Sequence, residues 1–349
     1  MERSFEFVQR ATTRIVIGQG VEAQLGPAIQ ALQPDGIVLV HDASLGAMAQ
    51  RIAASIGARG VLAVGGGEAC KRVDMVDNLA RELSRLGATR GTALVVLGGG
   101  TLTDLAGFTG SIYMRAIRCV FCPTTTLAIC DASLGGKNGI NHGELKNQLG
   151  TIRQPDLVFA DIDWLQTLPD EQFREGLVEV AKKAAVLSLS NFEQLEELAP
   201  ALANREPAAT LAAIEMAVTM KMQVVLADER EADLRRTLNF GHTIGHAIES
   251  ASGETVRHGS AVAMGLLAEC RAAAPIVPGE VIGRIAALLA RLGVSTTIPP
   301  HWANAGLLWQ FAQKDKKVRG GRVPMFVPPA LGQHTTVELT EQSLARALS

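Results

Sequence analysis

The first 160 residues alternate short β-branched runs with amphipathic stretches. Such runs, bounded by glycine or polar residues, predict strands. Five of them lie at residues 14–17, 36–41, 61–64, 92–97 and 157–160. Helical patterns lie between them, at residues 21–32 and 71–86. Because strands and helices alternate, the pattern predicts a parallel sheet covered by helices on both faces.

From residue 161 the pattern changes to long amphipathic segments. They predict helices at residues 170–187, 207–227, 234–251, 258–273 and 279–292. Strand signals return only at residues 323–327 and 335–339. The sequence therefore predicts an α/β protein of two domains: a Rossmann-like parallel-sheet domain over residues 1–160 and an all-α domain over residues 161–349.

Composition agrees with a globular protein of more than one core. The chain has 349 residues, 47% of them hydrophobic and 19% charged. The net charge of −2 gives no general attraction to nucleic acid or to an anionic membrane. The N-terminus has no apolar core, no later run is expected to reach the length of a bilayer span, and the five cysteines are expected to be reduced thiols. We expect a cytoplasmic protein.

Three of the seven histidines lie within seventeen positions. His242 and His246 are four residues apart in a helical pattern, so their imidazoles share one face, and His258 begins the next helical pattern. These histidines could bind a metal or transfer protons, or they could be ordinary helix and cap residues. Glu179 could add a carboxylate ligand or form a buried ion pair with Lys182. Two imidazoles and a carboxylate around an open position favour a catalytic divalent site, with zinc first.

Glycines follow the fourth predicted strand, at residues 98–100. In open α/β sheets such a strand-to-helix turn accepts the pyrophosphate of a nucleotide, although a plain tight turn has the same pattern. Asp42 follows the second strand and Glu68 the third. Either residue could contact a nucleotide or cap a helix.

The segment 123–147 is too polar and glycine-rich for a buried element. It contains Lys137 and Lys146, and Arg115 lies upstream. Together these cations could hold an anionic substrate. A solvated loop is the alternative.

Ten segments together resemble one known family over nearly the whole chain. They are residues 98–108, 123–125, 131–137, 146–147, 167–169, 179–182, 228–231, 238–246, 258–259 and 315–317. In this order they resemble the 3-dehydroquinate synthase family of sugar-phosphate cyclases. The resemblance implies conversion of 3-deoxy-D-arabino-heptulosonate 7-phosphate to 3-dehydroquinate and phosphate, a step of the shikimate pathway to aromatic amino acids. It implies catalytic NAD, which takes and returns one hydride per turnover, and a divalent metal, zinc or alternatively cobalt.

The resemblance also implies roles for individual residues. It makes the first domain the NAD-binding domain and the second the metal- and substrate-binding domain. The implied metal ligands are Glu179, His242 and His258. The implied catalytic and substrate residues are His246, Glu231, Lys137, Asp131, Lys182, Arg115, Asn147, Lys221, Arg235, Asn239 and a lysine of Lys316 and Lys317. The implied cofactor contacts are Asp42, Glu68, Lys71, Gly99, Gly100, Asp104, Thr124, Thr125, Lys137, Lys146 and Thr167. We also expect a homodimer.

Four places depart from the commoner family pattern. Ala132 stands where serine is usual, residues 143–145 replace a Pro-Leu-Gly run, Lys183 stands where tyrosine is frequent, and Ser260 where glutamate is frequent. Cyclases acting on sedoheptulose 7-phosphate or glucose 6-phosphate therefore remain alternatives. So do a metal-dependent polyol dehydrogenase and a non-catalytic NAD-binding scaffold.

Overall fold

The computed structural model describes residues 11–143, 145–253, 255–314 and 322–348. The chain divides into two compact units. The first unit runs to Thr124 and continues over Ala132–Asp161, and the second unit combines Thr125–Asp131 with the chain from Ile162 onward. The domains predicted at residues 1–160 and 161–349 are assigned functional roles as well as boundaries. That assignment stays a prediction.

A parallel sheet forms the centre of the first unit. This unit contains strands β1 Arg14–Gly18, β2 Ile37–Asp42, β3 Gly60–Val64, β4 Ala93–Gly98, β5 Arg118–Pro123, β6 Lys137–His142, β7 Leu145–Ile152 and β8 Leu157–Asp161. Six of them form the parallel sheet in the order β1-β8-β5-β4-β2-β3. All six residues of β4 are buried, as expected for a central strand covered on both faces.

The helices of the first unit are α1 Leu25–Gln30, α2 Gly46–Ile56, α3 Val73–Arg85 and α4 Gly100–Ile112. They follow the strands in alternation, so the predicted α/β class is confirmed. The helix predicted at 21–32 is too long, because a 3-10 turn, Glu22–Gln24, replaces its start.

The segment 123–147 is more ordered than the sequence predicts. Strands β6 and β7 pair antiparallel in a separate two-stranded sheet. The expectation that this segment is too polar for a buried element is therefore wrong, because Asn138, Gly139 and Ile140 of β6 are buried. Most of β7 is exposed or half-buried, so its sequence lacks the apolar alternation that marks a strand packed on a core.

The second unit is mostly helical. Its helices are α5 Asp170–Leu187, α6 Leu189–Ala203, α7 Pro207–Ala227, α8 His242–Ala251, α9 His258–Ala272, α10 Gly279–Arg291, α11 Ala305–Ala312 and α12 Glu341–Leu348. Strands β9 Val323–Val327 and β10 Thr335–Leu339 pair antiparallel. This unit is therefore not purely α. Helices α6, α11 and α12 lie outside the predicted elements.

The helix predicted over residues 234–251 is broken in two. A 3-10 turn, Leu234–Asn239, precedes α8, and Gly241 between them has a φ of 78°. A Cβ at Gly241 would lie 2.7 Å from Leu266 Cδ2, so both the backbone angle and the packing favour glycine. The break places His242 in the first turn of α8.

Helix α7 has the length and composition of a membrane span. It has 21 residues and a window of mean hydropathy 1.4, so the expectation that no run approaches this length is wrong. Yet 56% of that window is buried inside the protein. The core helix of a folded domain shows the same composition for that reason.

Candidate active site

Three potential metal ligands meet in the second unit. Glu179 lies on α5, His242 begins α8 and His258 begins α9. Glu179 Oε1 lies 3.7 Å from His242 Nε2 and 3.9 Å from His258 Nε2. One ligand atom from each residue lies within 4.8 Å of the others. Glu179 therefore forms one cluster with two histidines that follow it by more than sixty residues in sequence.

Glycines allow the three helices to approach closely. A Cβ at Gly265 of α9 would lie 2.1 Å from Gly241 O, and one at Gly245 of α8 would lie 3.1 Å from Ala261 O. A Cβ at Gly259 would lie 2.4 Å from the Cβ of Glu175 on α5. Because no side chain separates the helices at these points, both histidines come within reach of α5.

Glu269 fixes the start of α8. Its carboxylate is fully buried and accepts hydrogen bonds from the backbone N–H groups of Gly241, Thr243 and Ile244 at 2.8, 2.7 and 3.0 Å. These are the N–H groups that a helix start leaves without partners. The contact stabilises the turn that carries His242. Glu269 is not among the residues predicted from the sequence, since nothing in a lone glutamate on α9 indicates that it caps a different helix.

Glu249 orients His258. Its Oε2 lies 3.3 Å from His258 Nδ1, which leaves His258 Nε2 directed toward Glu179. Burial lowers the pKa of His258, but the hydrogen bond and charge of Glu249, then the charge of Glu179, outweigh it, so the pKa is raised. Glu249 was also missed. Its position three residues after His246 on a helix was the available signal.

His246 lies beside the same cluster. Its ring centroid is 5.2 Å from that of His242 and 6.0 Å from that of His258. His246, Glu249 and His258 form a second set of three potential ligands that shares His258 with the first. The sequence-based assignment of His246 to catalysis stays a prediction.

The Glu179 set fits a divalent cation. Glu179 is 1% exposed; its Oε2 is ion-paired with Lys182, whereas its Oε1 has no hydrogen-bond partner among the described residues. Leaving such an oxygen unsatisfied costs about 1–3 kcal/mol. A cation between Oε1 and the two imidazoles would satisfy it. A His2Glu donor set with remaining open positions is typical of catalytic zinc.

Buried lysines adjoin Glu179 on its other side. Lys182 contacts Glu179 Oε2, and Lys183 Nζ lies 2.7 Å from Asp131 Oδ1. Lys221 Nζ lies 3.0 Å from Asp131 Oδ2 and donates to the Asp131 carbonyl at 2.6 Å. The structure thus brings the predicted residues Asp131, Lys182 and Lys221 together, and it adds Lys183.

The charged groups in this cluster shift one another's pKa values. Burial raises the pKa of Asp131, but Lys183, Lys221 and Lys182 outweigh it and hold that pKa well below its usual value. Burial lowers the pKa of Lys221 to about 8, with repulsion from Lys183 contributing and Asp131 opposing. Lys221 therefore titrates much nearer neutrality than an ordinary lysine.

Three further predicted residues lie just before α8. Asn239 Nδ2 donates to Glu231 Oε1 at 3.0 Å, and Glu231 has a φ of 59°. Arg235 is 3% exposed and donates to the Glu229 carbonyl at 2.6 Å. Burial lowers the pKa of its guanidinium. Glu231 in the left-handed region is the kind of local strain that clusters at functional sites.

In the first unit the structure gathers a second charged cluster. Lys71 is 3% exposed and donates to Asp104 Oδ2 at 2.8 Å and to Asn147 Oδ1 at 2.5 Å. Glu68 Oε1 lies 3.4 Å from Lys71 Nζ and accepts from Asn141 at 2.9 Å. Three predicted cofactor residues, Glu68, Lys71 and Asp104, thus lie together. Asn147, a predicted substrate residue, lies beside them.

The predicted nucleotide turn lies at the carboxyl edge of the parallel sheet. Gly99 precedes the first residue of α4, and a Cβ at Gly100 would lie 2.8 Å from that of Ala132. The neighbouring strand β5 ends beside it, where Thr124 N donates to the Gly98 carbonyl at 3.0 Å. At the end of β2, Asp42 caps the next turn by accepting from Ser44 N at 2.9 Å. Its contact with a cofactor stays a prediction.

The remaining predicted residues lie on several elements. Lys137 begins β6, Lys146 precedes Asn147 in β7, and Arg115 follows α4 with a φ of 64°. Thr125 and Thr167 belong to the second unit. Lys316 and Lys317 lie outside the described residues.

Comparison with known proteins identifies the family. Sequence models described as "3-dehydroquinate synthase N-terminal" and "3-dehydroquinate synthase C-terminal" match residues 61–175 and 176–318. The 3-dehydroquinate synthase of Laribacter hongkongensis is 38% identical over 327 residues, which cover 91% of this chain and 90% of that protein.

Solved structures share the fold. The 2-epi-5-epi-valiolone synthase ValA of Streptomyces hygroscopicus, with bound NAD+ and Zn2+, has a TM-score of 0.88 at 24% identity and covers 99% of this chain and 98% of its own. A 2-deoxy-scyllo-inosose synthase, complexed with carbaglucose-6-phosphate, NAD+ and Co2+, has a TM-score of 0.85 at 25% identity and covers 96% and 95%. Both family models and the 38% identical relative lead to one conclusion: the chain belongs to the 3-dehydroquinate synthase family.

Proposed function

We propose that this chain is an enzyme that converts 3-deoxy-D-arabino-heptulosonate 7-phosphate to 3-dehydroquinate and phosphate. Membership of the family supports this activity. The observation that carries it is the pairing of two features in one unit: the Glu179, His242 and His258 set, and the buried lysines around Asp131. The first suits a Lewis acid, and the second suits a polyanionic substrate.

We assign the metal to Glu179, His242 and His258, and NAD to the cluster of Lys71 and the glycine turn in the first unit. Relatives of the same fold bind NAD+ together with Zn2+ or Co2+, which supports both assignments. When bound, the metal supplies a Lewis acid and NAD a reversible hydride acceptor. Glu249 holds the His258 ring so that Nε2 stays available.

The chain's own cations bind and orient the substrate. Lys182, Lys221 and Arg235 are all buried, so their charges act in a site with little screening by water. They suit the phosphate and carboxylate of a heptulosonate phosphate. The ammonium groups of Lys182, Lys183 and Lys221 outnumber the carboxylates of Asp131 and Glu179, and a neutral polyol would bring no negative charge to balance the excess. This disfavours the polyol dehydrogenase.

Proton transfer falls to residues beside the metal set. His246 lies with its ring 5.2 Å from that of His242, and we assign it to catalysis. We assign Glu231 and Asn239, which are hydrogen-bonded to each other, to the substrate. In the first unit, Arg115, Lys137, Lys146 and Asn147 keep their predicted roles as substrate or cofactor contacts.

One assay tests the activity and its alternatives. The purified protein is given catalytic NAD and, in parallel, the heptulosonate 7-phosphate, sedoheptulose 7-phosphate and glucose 6-phosphate. We expect many turnovers per NAD with the heptulosonate, one phosphate released per substrate, and no accumulation of NADH. Faster turnover of another sugar phosphate would replace the substrate but keep the cyclase. Net formation of NADH from a simple alcohol would identify a dehydrogenase. The absence of any turnover would identify a non-catalytic scaffold.

We further propose a cytoplasmic homodimer. The expected absence of nucleic-acid and membrane partners rests on the net charge of −2. Light scattering coupled to gel filtration measures the mass. A single species of about the 36.9 kDa chain mass would contradict the dimer.

A further inference from the structure

The carboxylate of Glu179 faces two different sets of groups. Its Oε1 lies 3.7 Å from His242 Nε2 and 3.9 Å from His258 Nε2. Its Oε2 contacts Lys182 and lies 3.6 Å from Lys183 Nζ. Both lysines lie on the helix of Glu179, three and four residues further on. One oxygen thus faces the imidazoles and the other faces ammonium groups.

Lys183 connects this carboxylate to a second one. Its Nζ lies 2.7 Å from Asp131 Oδ1 and donates to the Glu179 carbonyl at 3.4 Å. The side chain is fully buried, so the ammonium cannot exchange these partners for bulk water. Lys221 binds the other oxygen of Asp131. Lys183 is therefore the ammonium that bridges the predicted metal ligand and the predicted substrate residue.

The cluster is cationic before any metal enters. It contains two carboxylates, Asp131 and Glu179, and three ammonium groups, Lys182, Lys183 and Lys221. A divalent ion bound by Glu179 is repelled by each nearby ammonium, and in a buried site this repulsion is strong. A carboxylate with one oxygen occupied by lysines also offers a metal only the other.

We propose that Lys183 lowers the metal affinity of the site through its ammonium charge beside Glu179 Oε2. This inference rests on the proposed metal site. The two imidazoles and Oε1 would hold the ion, and Lys183 Nζ, 3.6 Å from the other oxygen, would repel it. Without Lys183, Oε2 keeps Lys182 as its partner, but one buried ammonium no longer repels the ion, and the ion is held more tightly.

The test is a Co2+ titration of metal-free protein against a competing chelator. The Lys183→Met protein is expected to bind Co2+ about tenfold more tightly than the wild type, since a nearby positive charge is gone. Lys183→Arg, which keeps the charge, is expected to resemble the wild type. Equal or weaker Co2+ binding by Lys183→Met would overturn the proposal.

Two further variants separate the effect of the Lys183 contact with Glu179 from a loss of folding and from a change in the net charge of the cluster. Lys183→Gln removes the charge but keeps a donor for Asp131, so it serves if Lys183→Met does not fold, as judged by circular dichroism and melting. Lys221→Met removes an ammonium that contacts Asp131 rather than Glu179. We expect Lys221→Met to change Co2+ affinity less than Lys183→Met. Equal tightening would overturn the proposal, because net charge alone would then explain it.

The wild-type titration separates this inference from the proposed function. Stoichiometric Co2+ binding by the wild type, lost in His258→Ala, supports the metal site whatever Lys183 does. If the wild type binds no Co2+, the metal assignment itself fails. If the wild type binds Co2+ and the Lys183→Met protein binds it equally, only the role of Lys183 fails.

Discussion

Each unit holds a buried lysine cluster, and the two clusters differ in how their acceptors are satisfied. In the first unit, Lys71 donates to Asp104 and Asn147, and Asn141 donates to Glu68. In the second unit, Glu179 Oε2 is ion-paired with Lys182 and Lys183, whereas Oε1 has no hydrogen-bond partner among the described residues.

The difference indicates which groups are suited to bind a ligand. A hydrogen-bonded network such as that of Lys71 is stable by itself and can present its outer atoms to a cofactor. A buried carboxylate oxygen such as Glu179 Oε1, which has no hydrogen-bond donor among the described residues, is costly until a cation binds. The comparison predicts that substitutions in the second unit affect metal and turnover most, and that those around Lys71 affect stability as well.

The largest effect is expected from His258→Ala. Removing one of three protein ligands should abolish tight metal binding and turnover together. Metal analysis after dialysis measures the bound zinc. His301→Ala, at an exposed histidine of the same unit, is the control and should keep the metal. Stoichiometric zinc in His258→Ala would remove His258 from the ligand set.

Lys137→Ala should affect turnover but not folding. Lys137 is an exposed residue at the start of β6, so its loss costs little stability. Charge stabilisation in a closed active site is worth about 3 kcal/mol, so turnover should fall by about 100-fold. The kcat and the melting temperature are measured together, with exposed Lys314→Ala as the control. Near-normal kcat would refute the assignment of Lys137.

Lys71→Met should destabilise the first unit. It leaves Asp104 and Asn147 without their ammonium partner, and because Asp104 is 22% exposed we expect about 2 kcal/mol, less than for a fully buried pair. Melting should fall by several degrees, and affinity for NAD should weaken. Lys71→Arg keeps the charge and tests the geometry. An unchanged melting temperature in Lys71→Met would show that the cluster is not structural.

Glu249→Ala should weaken metal binding without removing a ligand. Loss of a carboxylate that orients a ligating histidine typically costs about 10–100-fold in metal affinity. Glu249→Gln keeps an acceptor for His258 Nδ1 and should lose less. If both variants lose the metal as completely as His258→Ala, then Glu249 is itself a ligand, as the second set with His246 allows.

The smallest expected effect is on the pH dependence of kcat/KM and of stability. Burial lowers the pKa of Lys221 to about 8, so its charge is lost as pH rises through about 8 and binding of an anionic substrate should weaken there. Between that pH and the ordinary lysine pKa the unfolded chain binds the extra proton, so this lysine makes unfolding less favourable as pH rises. A profile of kcat/KM against pH measures the first effect. Lys221→Arg should move the alkaline limb upward, and an unmoved limb would exclude Lys221.

Much of the fold could be predicted from local pattern. Central strands of the parallel sheet such as β4 are buried apolar runs, and α5 and α7 begin and end where the periodicity does. The hairpin of β6 and β7 could not be found this way, because β7 is exposed or half-buried along its length and carries no apolar alternation. The break at Gly241 was missed because glycine is tolerated in a helical pattern until packing decides its φ.

The sequence by itself determined the α/β class and the family, and it led to the prediction of Glu179, His242 and His258 as metal ligands, since these depend on residue types in order along the chain. Only the tertiary structure decided which oxygen of Glu179 faces the imidazoles, that Glu249 holds His258, that Glu269 from α9 caps α8, and that Lys183 bridges two carboxylates. These contacts join helices distant in the chain. They arise from close packing at glycines such as Gly259 and Gly265, and local pattern carries no information about them.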